Sequence, residues 1–213
     1  MTIAVIDYGM GNLHSVAKAL EHVTHENVMV TRDPRSIRGA SRLVLPGQGA
    51  IRDCMGELQR TELEGLVKDL LEEQAKPLLG ICVGQQMLFD RSEENGGVDC
   101  LGFLPGRVRH FGHKLTTPEG ERLKVPHMGW NRVAQHHQHP LWNGIEDGAR
   151  FYFVHSYYVE AARDADIFGT TNYADVDAHV VTGRGTVFAV QFHPEKSAGD
   201  GLQLLENFVN WAP

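Results

Sequence analysis

The sequence predicts an α/β fold, with a mostly parallel central sheet covered by helices on both faces and a smaller antiparallel β portion in the C-terminal half. Two observations predict it. Short, β-branched apolar runs alternate with segments of helical spacing through residues 2–90, which is typical of parallel sheets whose crossovers are helices. The second half carries apolar runs joined by short turns, which is typical of antiparallel hairpins.

The first half of the chain supplies the parallel strands. Residues 2–7 (TIAVID) form an apolar run that predicts a buried strand. Gly9 and Gly11 then make a turn, and Asn12 is the predicted N-cap of a helix over residues 13–23. The alternation continues with predicted strands over residues 28–31, 43–45 and 77–81, and with predicted helices over residues 55–73 and 84–90.

The second half supplies the antiparallel portion. Two strands are predicted over residues 151–158 and 166–173. A hairpin follows, with strands over residues 178–182 and 186–192 and a turn at residues 183–185. A helix over residues 202–211 closes the chain. No segment has the composition of a linker, and no internal repeat is present. We therefore expect one domain over residues 1–213.

Composition excludes several classes of protein. The chain has 213 residues and a net charge of −7, and no run of Lys and Arg predicts nucleic-acid binding. No apolar stretch approaches the ~20 residues that a membrane helix needs. The start of the chain carries Asp7 and no basic region, so we expect no signal peptide. Three cysteines without a CxxC pattern indicate reduced thiols, and we expect a cytoplasmic protein.

The pentapeptide Gly80-Ile81-Cys82-Val83-Gly84 is the sharpest local signal. It has the G-x-nucleophile-x-G pattern of a strained turn between a strand and a helix, where a larger neighbour would clash. Cys82 would lie at a helix N-terminus, which favours the thiolate, and the Val83 N–H would face an oxyanion. The alternative is a buried structural cysteine beside two incidental glycines.

Two further segments could complete such a site. His193 and Glu195 are two residues apart after an apolar strand, so an extended backbone places both side chains on one side, as a base and the group that orients it. Taken alone, this pair is better explained as surface residues. The loop of Gly47, Gln48 and Gly49 follows another strand, and its glycines allow backbone N–H groups to approach a substrate. An ordinary turn is the alternative there.

Together these residues resemble a known family. The segments GICVGQQ and QFHPEKS resemble the class I (triad) glutamine amidotransferases. Three more, YGMGNLHSV (8–16), PHMGWN (126–131) and YFVHSYY (152–158), are similar to the glutaminase subunits of imidazole glycerol phosphate synthases, which act in histidine biosynthesis. The resemblance runs from the first predicted strand to the last helix, and it implies a flavodoxin-like class I amidotransferase fold.

The resemblance implies a role for each matching residue. Cys82 would attack the side-chain amide of glutamine, His193 would act as general base and then as general acid to the leaving ammonia, and Glu195 would orient His193. A thioester would form and be hydrolysed to glutamate. The Val83 amide and an amide of Gln48 or Gly49 would hold the oxyanion. Glutamine binding is implied for Gly47, Gly49, Gln86, His155, Ser156 and Tyr157. Gln86 also lies one helical turn beyond Cys82, so it can reach the same pocket.

The resemblance also implies a partner and no cofactor or metal. The partner is a separate (β/α)₈ cyclase subunit, with which the chain would form a heterodimer that channels ammonia. Interface roles are implied for Asn12, Met128, Trp130, Tyr152 and Lys196. The apolar character of PHMGWN suits an interface centre, although a core strand would have the same composition.

Two positions depart from the family pattern. Gln48 stands where the family usually has an apolar residue, and Gln85 stands where methionine is usual. Both are expected to add amides near the site, either changing how the loop holds its oxyanion donor or bonding the two segments together. His136, His137 and His139 form a cluster that we assign to a solvated loop rather than a metal site, and Cys54 and Cys100 are expected to be inert packing thiols.

Three alternatives to this function remain open. The chain could be the glutaminase of another ammonia-using synthase, such as those that make vitamin B6, tryptophan or GMP. It could be a non-catalytic subunit that keeps the fold to stabilise a partner. It could also be an unrelated thiol hydrolase such as an esterase.

Overall fold

The described residues form one large mixed sheet and two smaller ones. The computed structural model describes residues 1–112, 115–117, 120 and 122–213. Its α-helices and strands in chain order are β1 (Thr2–Ile6), α1 (Leu13–Val23), β2 (Asn27–Thr31), α2 (Pro34–Gly39), β3 (Arg42–Gly47), α3 (Ile51–Arg60), α4 (Leu63–Glu73), β4 (Leu78–Cys82), α5 (Val83–Gln86), β5 (Phe89–Ser92), β6 (Val98–Asp99), β7 (Leu104–His110), β8 (His127–Arg132), β9 (Ala134–Gln135), β10 (Arg150–His155), β11 (Tyr157–Ala161), β12 (Ile167–Tyr173), β13 (Val176–Arg184), β14 (Val187–Val190) and α6 (Ala198–Asn210). None of the described helices is both long enough and apolar enough to cross a membrane.

The large sheet has the strand order β2-β1-β3-β4-β14-β13-β12-β9. The first five strands are parallel, and β13, β12 and β9 extend the sheet in antiparallel fashion. The predicted mostly parallel sheet is therefore confirmed. Every residue of β3, β4 and β14 is buried, so the centre of the sheet is covered on both faces. The helices pack in two groups, α1 with α6, and α2 and α3 with α4.

The register of the central strands brings distant segments to one edge of the sheet. Gly47 at the end of β3 pairs with Cys82 at the end of β4, and Val190 at the end of β14 pairs with Ile81. The segments that follow β3, β4 and β14 therefore meet at the carboxyl edge, where ligands bind in open α/β sheets.

The predicted antiparallel portion is divided among the sheets, because β12 and β13 extend the large sheet and the two smaller sheets are antiparallel except where β5 pairs with β7 in parallel. One pairs β10 with β8, and the other has the order β11-β7-β5-β6. The single strand predicted over 151–158 is wrong, because the chain leaves one sheet and enters the other at Ser156. The turn of the β13–β14 hairpin also differs from the prediction. Arg184 pairs with Val187, so the turn consists of Gly185 and Thr186.

Two predicted helices are also wrong. The helix over 84–90 stops after the single turn of α5, because Phe89 pairs with Leu104 of β7 and the segment becomes a strand. The helix over 55–73 is two helices, α3 and α4, with a break where Glu62 adopts a left-handed backbone (φ 59°). The sequence analysis also missed α2, which Asp33 caps by accepting a hydrogen bond from the Ser36 backbone N–H at 2.9 Å.

Candidate active site

Cys82 occupies a strained turn between β4 and α5. Its backbone has φ 57° and ψ −115°, a conformation that an L-residue adopts only where the surroundings enforce it. The glycines on either side make the turn possible. A Cβ on Gly84 would lie 2.0 Å from the Leu45 carbonyl oxygen, and a Cβ on Gly80 would lie 3.0 Å from the Ala189 Cβ. The G-x-C-x-G spacing therefore reflects close approach of β3 and β14 to the turn.

We expect Gly84→Ala to destabilise the fold by roughly 2 kcal/mol or more, because the new methyl group meets backbone that side-chain rotation cannot clear. Gly65→Ala is the matched control, since its Cβ would have no atom within 4 Å. Removing a glycine from the interior of α4 should raise stability by about 0.5–1 kcal/mol. Urea unfolding of both variants measures the difference. Equal midpoints would contradict this account of the turn.

His193 and Glu195 form a buried pair beside Cys82. His193 follows β14, and its Nδ1 lies 2.9 Å from Glu195 Oε1. The two side chains are 5% and 1% exposed. Because the carboxylate fixes the proton on Nδ1, the other ring nitrogen is left for Cys82, whose sulfur is near enough to help raise the pKa of His193. The fold thus brings Cys82, His193 and Glu195 together.

The charge state of His193 follows from this set. Burial by itself lowers the pKa of His193, but the hydrogen bonds and charges of Cys82 and Glu195 outweigh it and raise the pKa to about 10. An imidazolium therefore faces the sulfur at neutral pH. This is the arrangement that stabilises a thiolate and supplies an acid for a leaving group.

The backbone around His193 is tied to β10. The Tyr152 carbonyl accepts a hydrogen bond from the His193 N–H at 3.0 Å. The Ser197 hydroxyl donates to the His193 carbonyl at 2.6 Å and accepts from the Tyr152 N–H at 3.0 Å. These bonds join the His193 segment to the strand that carries Tyr152.

Cys82 opens into a cavity of about 350 Å³, the lower end of the size range of small-molecule sites. Ten of the predicted site residues line it: Gln48, Gly49, Cys82, Val83, Gln86, His155, Ser156, Tyr157, His193 and Lys196. Glu94, Pro126 and Val154 also line it and were not predicted. Val83 is the first residue of α5, so its N–H has no acceptor within that helix, which suits the predicted role of oxyanion donor.

Gly47 packs closely against the turn that holds Cys82. It is not among the residues that line the cavity. A Cβ at this position would lie 2.6 Å from the Gly84 backbone nitrogen. A side chain here would therefore separate β3 from α5, and the role of Gly47 in binding glutamine stays a prediction.

Comparison with known proteins assigns the family. Residues 4–211 match the family model described as glutamine amidotransferase class-I. The chain is 59% identical to the imidazole glycerol phosphate synthase subunit HisH of Pseudomonas syringae pv. syringae, over 99% of this chain and 97% of that protein. The chain therefore belongs to the HisH family of class I glutamine amidotransferases.

Other relatives agree with this assignment. The HisH subunit of Dechloromonas aromatica is 58% identical to this HisH-family chain, over 100% of the chain and 97% of that protein. Among solved structures, PurLQS from Thermotoga maritima superposes with a TM-score of 0.70 at 19% identity, over 98% of this chain and 97% of that one. That similarity shows the class I amidotransferase fold and no more.

A pair of buried histidines supports one wall of the HisH-family pocket. His155 Nδ1 donates to the Tyr157 carbonyl at 2.8 Å, so its Nε2 accepts from His127 Nδ1 at 2.9 Å. Asn131 Nδ2 lies 3.3 Å from His127 Nε2. Burial lowers the pKa of His127 to about 4 and that of His155 to about 3, so both rings are neutral at physiological pH. The sequence analysis missed His127, although it lies within PHMGWN.

Gln48 and Gln85, the two residues that depart from the family pattern, lie apart in the structure. Gln48 is exposed at the rim of the cavity. Gln85 is fully buried and donates to the Thr182 hydroxyl at 3.0 Å and the His179 carbonyl at 3.3 Å, both on β13. The expectation that Gln85 adds an amide to the site or bonds to the Gln48 loop is wrong, because its side chain points toward the sheet.

The predicted interface residues are only partly clustered. Met128 and Trp130 are 62% and 44% exposed on β8. Trp130 is paired in register with Tyr152 of β10, and their rings meet edge to face. Lys196 lies on the wall of the cavity. Asn12 precedes α1 as its N-cap residue, without the side-chain capping bond.

The remaining histidines and cysteines have structural contacts. His139 stacks on Phe188 with ring centroids 4.5 Å apart, and His136 bonds to the Thr170 hydroxyl at 2.8 Å. Within the described part of the chain, no group of three His, Cys, Asp or Glu side chains could hold a metal. Cys54 and Cys100 are buried as expected, and burial raises the pKa of both thiols, that of Cys100 to about 12.

Proposed function

We propose that this protein is the glutaminase subunit of an imidazole glycerol phosphate synthase and hydrolyses glutamine at Cys82. The observation that carries the proposal is that Cys82 and His193 line one cavity, with Glu195 buried against His193. A non-catalytic subunit would have no need of a strained cysteine facing an imidazolium. An esterase would share this chemistry, but full-length relatives at 59% and 58% identity carry the HisH name.

The chemistry proceeds in two halves. The Cys82 sulfur attacks the side-chain carbonyl carbon of glutamine, and the oxyanion accepts hydrogen bonds from the Val83 N–H and an N–H of the loop at Gln48 and Gly49. The C–N bond then breaks as His193 gives its proton to the departing nitrogen, which leaves as ammonia. Water attacks the thioester while His193 takes its proton, and glutamate is released.

The proposed cyclase partner consumes the ammonia that this site releases. In the proposed complex the partner is a (β/α)₈ barrel through which ammonia passes to a phosphoribulosyl formimino carboxamide ribonucleotide, giving imidazole glycerol phosphate and AICAR. Ammonia in water at neutral pH is mostly protonated and no longer a nucleophile, so a closed path keeps it reactive. The exposed apolar Met128 and Trp130 suit the centre of the docking face, with Tyr152, Asn12 and Lys196 as further contacts.

The proposal is tested by glutaminase assays with and without the cyclase and its nucleotide ligand. We expect low activity from the isolated subunit and strong stimulation in the complex, because the loop at Gly47–Gly49 needs the partner to present an inward N–H. Complementation of a histidine auxotroph separates this function from that of other synthases. Ester turnover without glutamate formation would refute the proposal, and full activity of the isolated subunit would refute the role of the partner.

Trp130→Ala tests the docking face in the same assay. We expect it to weaken association with the cyclase by about tenfold or more, since a large aromatic at an interface centre contributes most of its binding energy. Val30→Ala is the matched control, because Val30 is an apolar residue that is also 44% exposed but lies on β2. Equal association constants for the two variants would place the interface elsewhere.

A further inference from the structure

Gln191 is a buried polar residue at the start of the QFHPEKS segment, and the sequence analysis gave it no role. It follows β14, two residues before His193, and its exposed fraction is 0%. Its side chain has two partners. Nε2 donates to Cys82 Sγ at 3.7 Å, and Oε1 accepts from Gln86 Nε2 at 2.8 Å. Gln191 therefore joins the reactive sulfur to a residue of the cavity wall.

These contacts determine which way the Gln86 amide faces. An amide nitrogen has two hydrogens to donate. Gln86 Nε2 gives one to Gln191 Oε1 and the other to the Tyr157 carbonyl, at 3.3 Å. Within the described residues no donor reaches Gln86 Oε1, so the carbonyl oxygen is the polar atom that Gln86 can offer to a ligand. It can accept from the ammonium or amide N–H groups of glutamine.

The Tyr157 carbonyl reinforces this orientation. It also accepts the Nδ1 hydrogen of His155, at 2.8 Å, so both of its neighbours must donate to it. A flipped Gln86 amide would place its carbonyl oxygen against the oxygens of Tyr157 and Gln191. Such a buried pair of acceptors without a hydrogen is costly.

On its other side, Gln191 completes the surroundings of the sulfur. His193 approaches Cys82 from the loop after β14, and the Gln191 N–H donates to its sulfur at 3.7 Å. Two side chains from one segment therefore hold the sulfur in place.

We propose that Gln191 is a positioning residue of the glutaminase site, which turns the carbonyl oxygen of Gln86 toward the substrate and holds the Cys82 sulfur for attack. This inference rests on the proposed glutaminase function. Gln191 does not touch the reacting carbon, so its effect passes through Gln86 and Cys82.

The test compares Gln191→Met with Gln85→Met in the complex with the cyclase. Both wild-type glutamines are fully buried, but the amide of Gln85 bonds only to β13. For Gln191→Met we expect KM for glutamine to rise and kcat to fall, each by about tenfold. We also expect alkylation of Cys82 by iodoacetamide at a fixed pH, followed by peptide mass spectrometry, to change in rate by about tenfold, because the sulfur is no longer held by the Gln191 amide. Gln85→Met should leave all three within about twofold.

Gln191→Glu separates the two contacts and replaces the methionine variant if that one fails to fold. A carboxylate still accepts from Gln86 but has no N–H for the sulfur. We expect KM near the wild-type value, with a lower kcat and slower alkylation near neutral pH. Wild-type kinetics and alkylation in both variants, or losses that match the unfolded fraction seen by circular dichroism, would overturn the proposal.

A failure of the proposed function would look different. A wild-type complex that does not hydrolyse glutamine would remove the glutaminase assignment. The alkylation rate of Cys82, which needs no glutamine, would then decide by itself whether Gln191 holds the sulfur.

Discussion

Cys82→Ala abolishes glutamine-dependent synthesis by the complex while synthesis from added ammonium salt continues. We expect glutamine hydrolysis to fall by about 10⁴-fold or more, because the substitution removes the nucleophile on which both halves of the reaction depend. Alanine keeps the Cβ, so the strained backbone at φ 57° meets no new atom. The cyclase would be untouched and would accept ammonia from solution. Formation of imidazole glycerol phosphate from each nitrogen source measures both activities.

Cys100→Ala is the control for this prediction. Cys100 is also buried, and burial raises the pKa of its thiol to about 12, but it does not line the cavity. Both activities should survive in this variant. Loss of both activities in Cys82→Ala with an intact complex would contradict the division of labour between the subunits. Retained glutaminase activity would contradict the role of Cys82.

The second large effect concerns His193. We expect His193→Ala to lower glutamine hydrolysis by about 10³-fold or more, because the base and the acid of the reaction are lost together. Ammonium-driven synthesis should again be spared. His139→Ala is the control, since His139 is a half-buried histidine that stacks on Phe188 and does not line the cavity.

The pH dependence of stability and of kcat tests the role of the His193–Glu195 pair. The pKa of His193 is raised from 6.5 to about 10. The stabilisation that the charged ring contributes is therefore fully present below pH 6.5 and is lost as the pH rises through about 10. Wild-type kcat should decline over the same alkaline range, because the neutral ring cannot protonate the leaving group.

Glu195→Gln should move this alkaline decline to lower pH, since it removes the negative charge that helps to hold the proton on the ring. The measurement is kcat against pH for both proteins, with folding monitored at each pH. An unchanged alkaline decline in Glu195→Gln would show that Glu195 does not set the charge of His193.

Short-range pattern was enough to predict much of this protein. The strands over residues 2–7, 43–45 and 77–81 follow from apolar runs that lie buried within a few residues of the predicted bounds. The turn at Cys82 follows from two glycines at fixed spacing. His193 and Glu195 are neighbours in the chain, so their contact needed little beyond the local backbone.

Elsewhere, pairing with a strand distant in the sequence determined a structure that the local sequence pattern did not predict. Residues 84–90 have helical spacing, but Phe89 pairs with Leu104 and the helix ends after one turn. The run over 151–158 is uniformly strand-like, and only the choice of two different partner strands breaks it at Ser156. The stability that a strand gains by pairing with a distant segment cannot be inferred from a short window of its own sequence.

By itself the sequence determined the family and the alternating fold class, and it predicted the nucleophile and its histidine. The tertiary structure alone decided that Gly47 packs against the turn, that Gln85 faces the sheet, and that Gln191 reaches across 105 residues to Gln86. The reason is physical. A side chain's partners are set by which strand ends meet at the carboxyl edge of the sheet, and that meeting is a property of the whole packed chain.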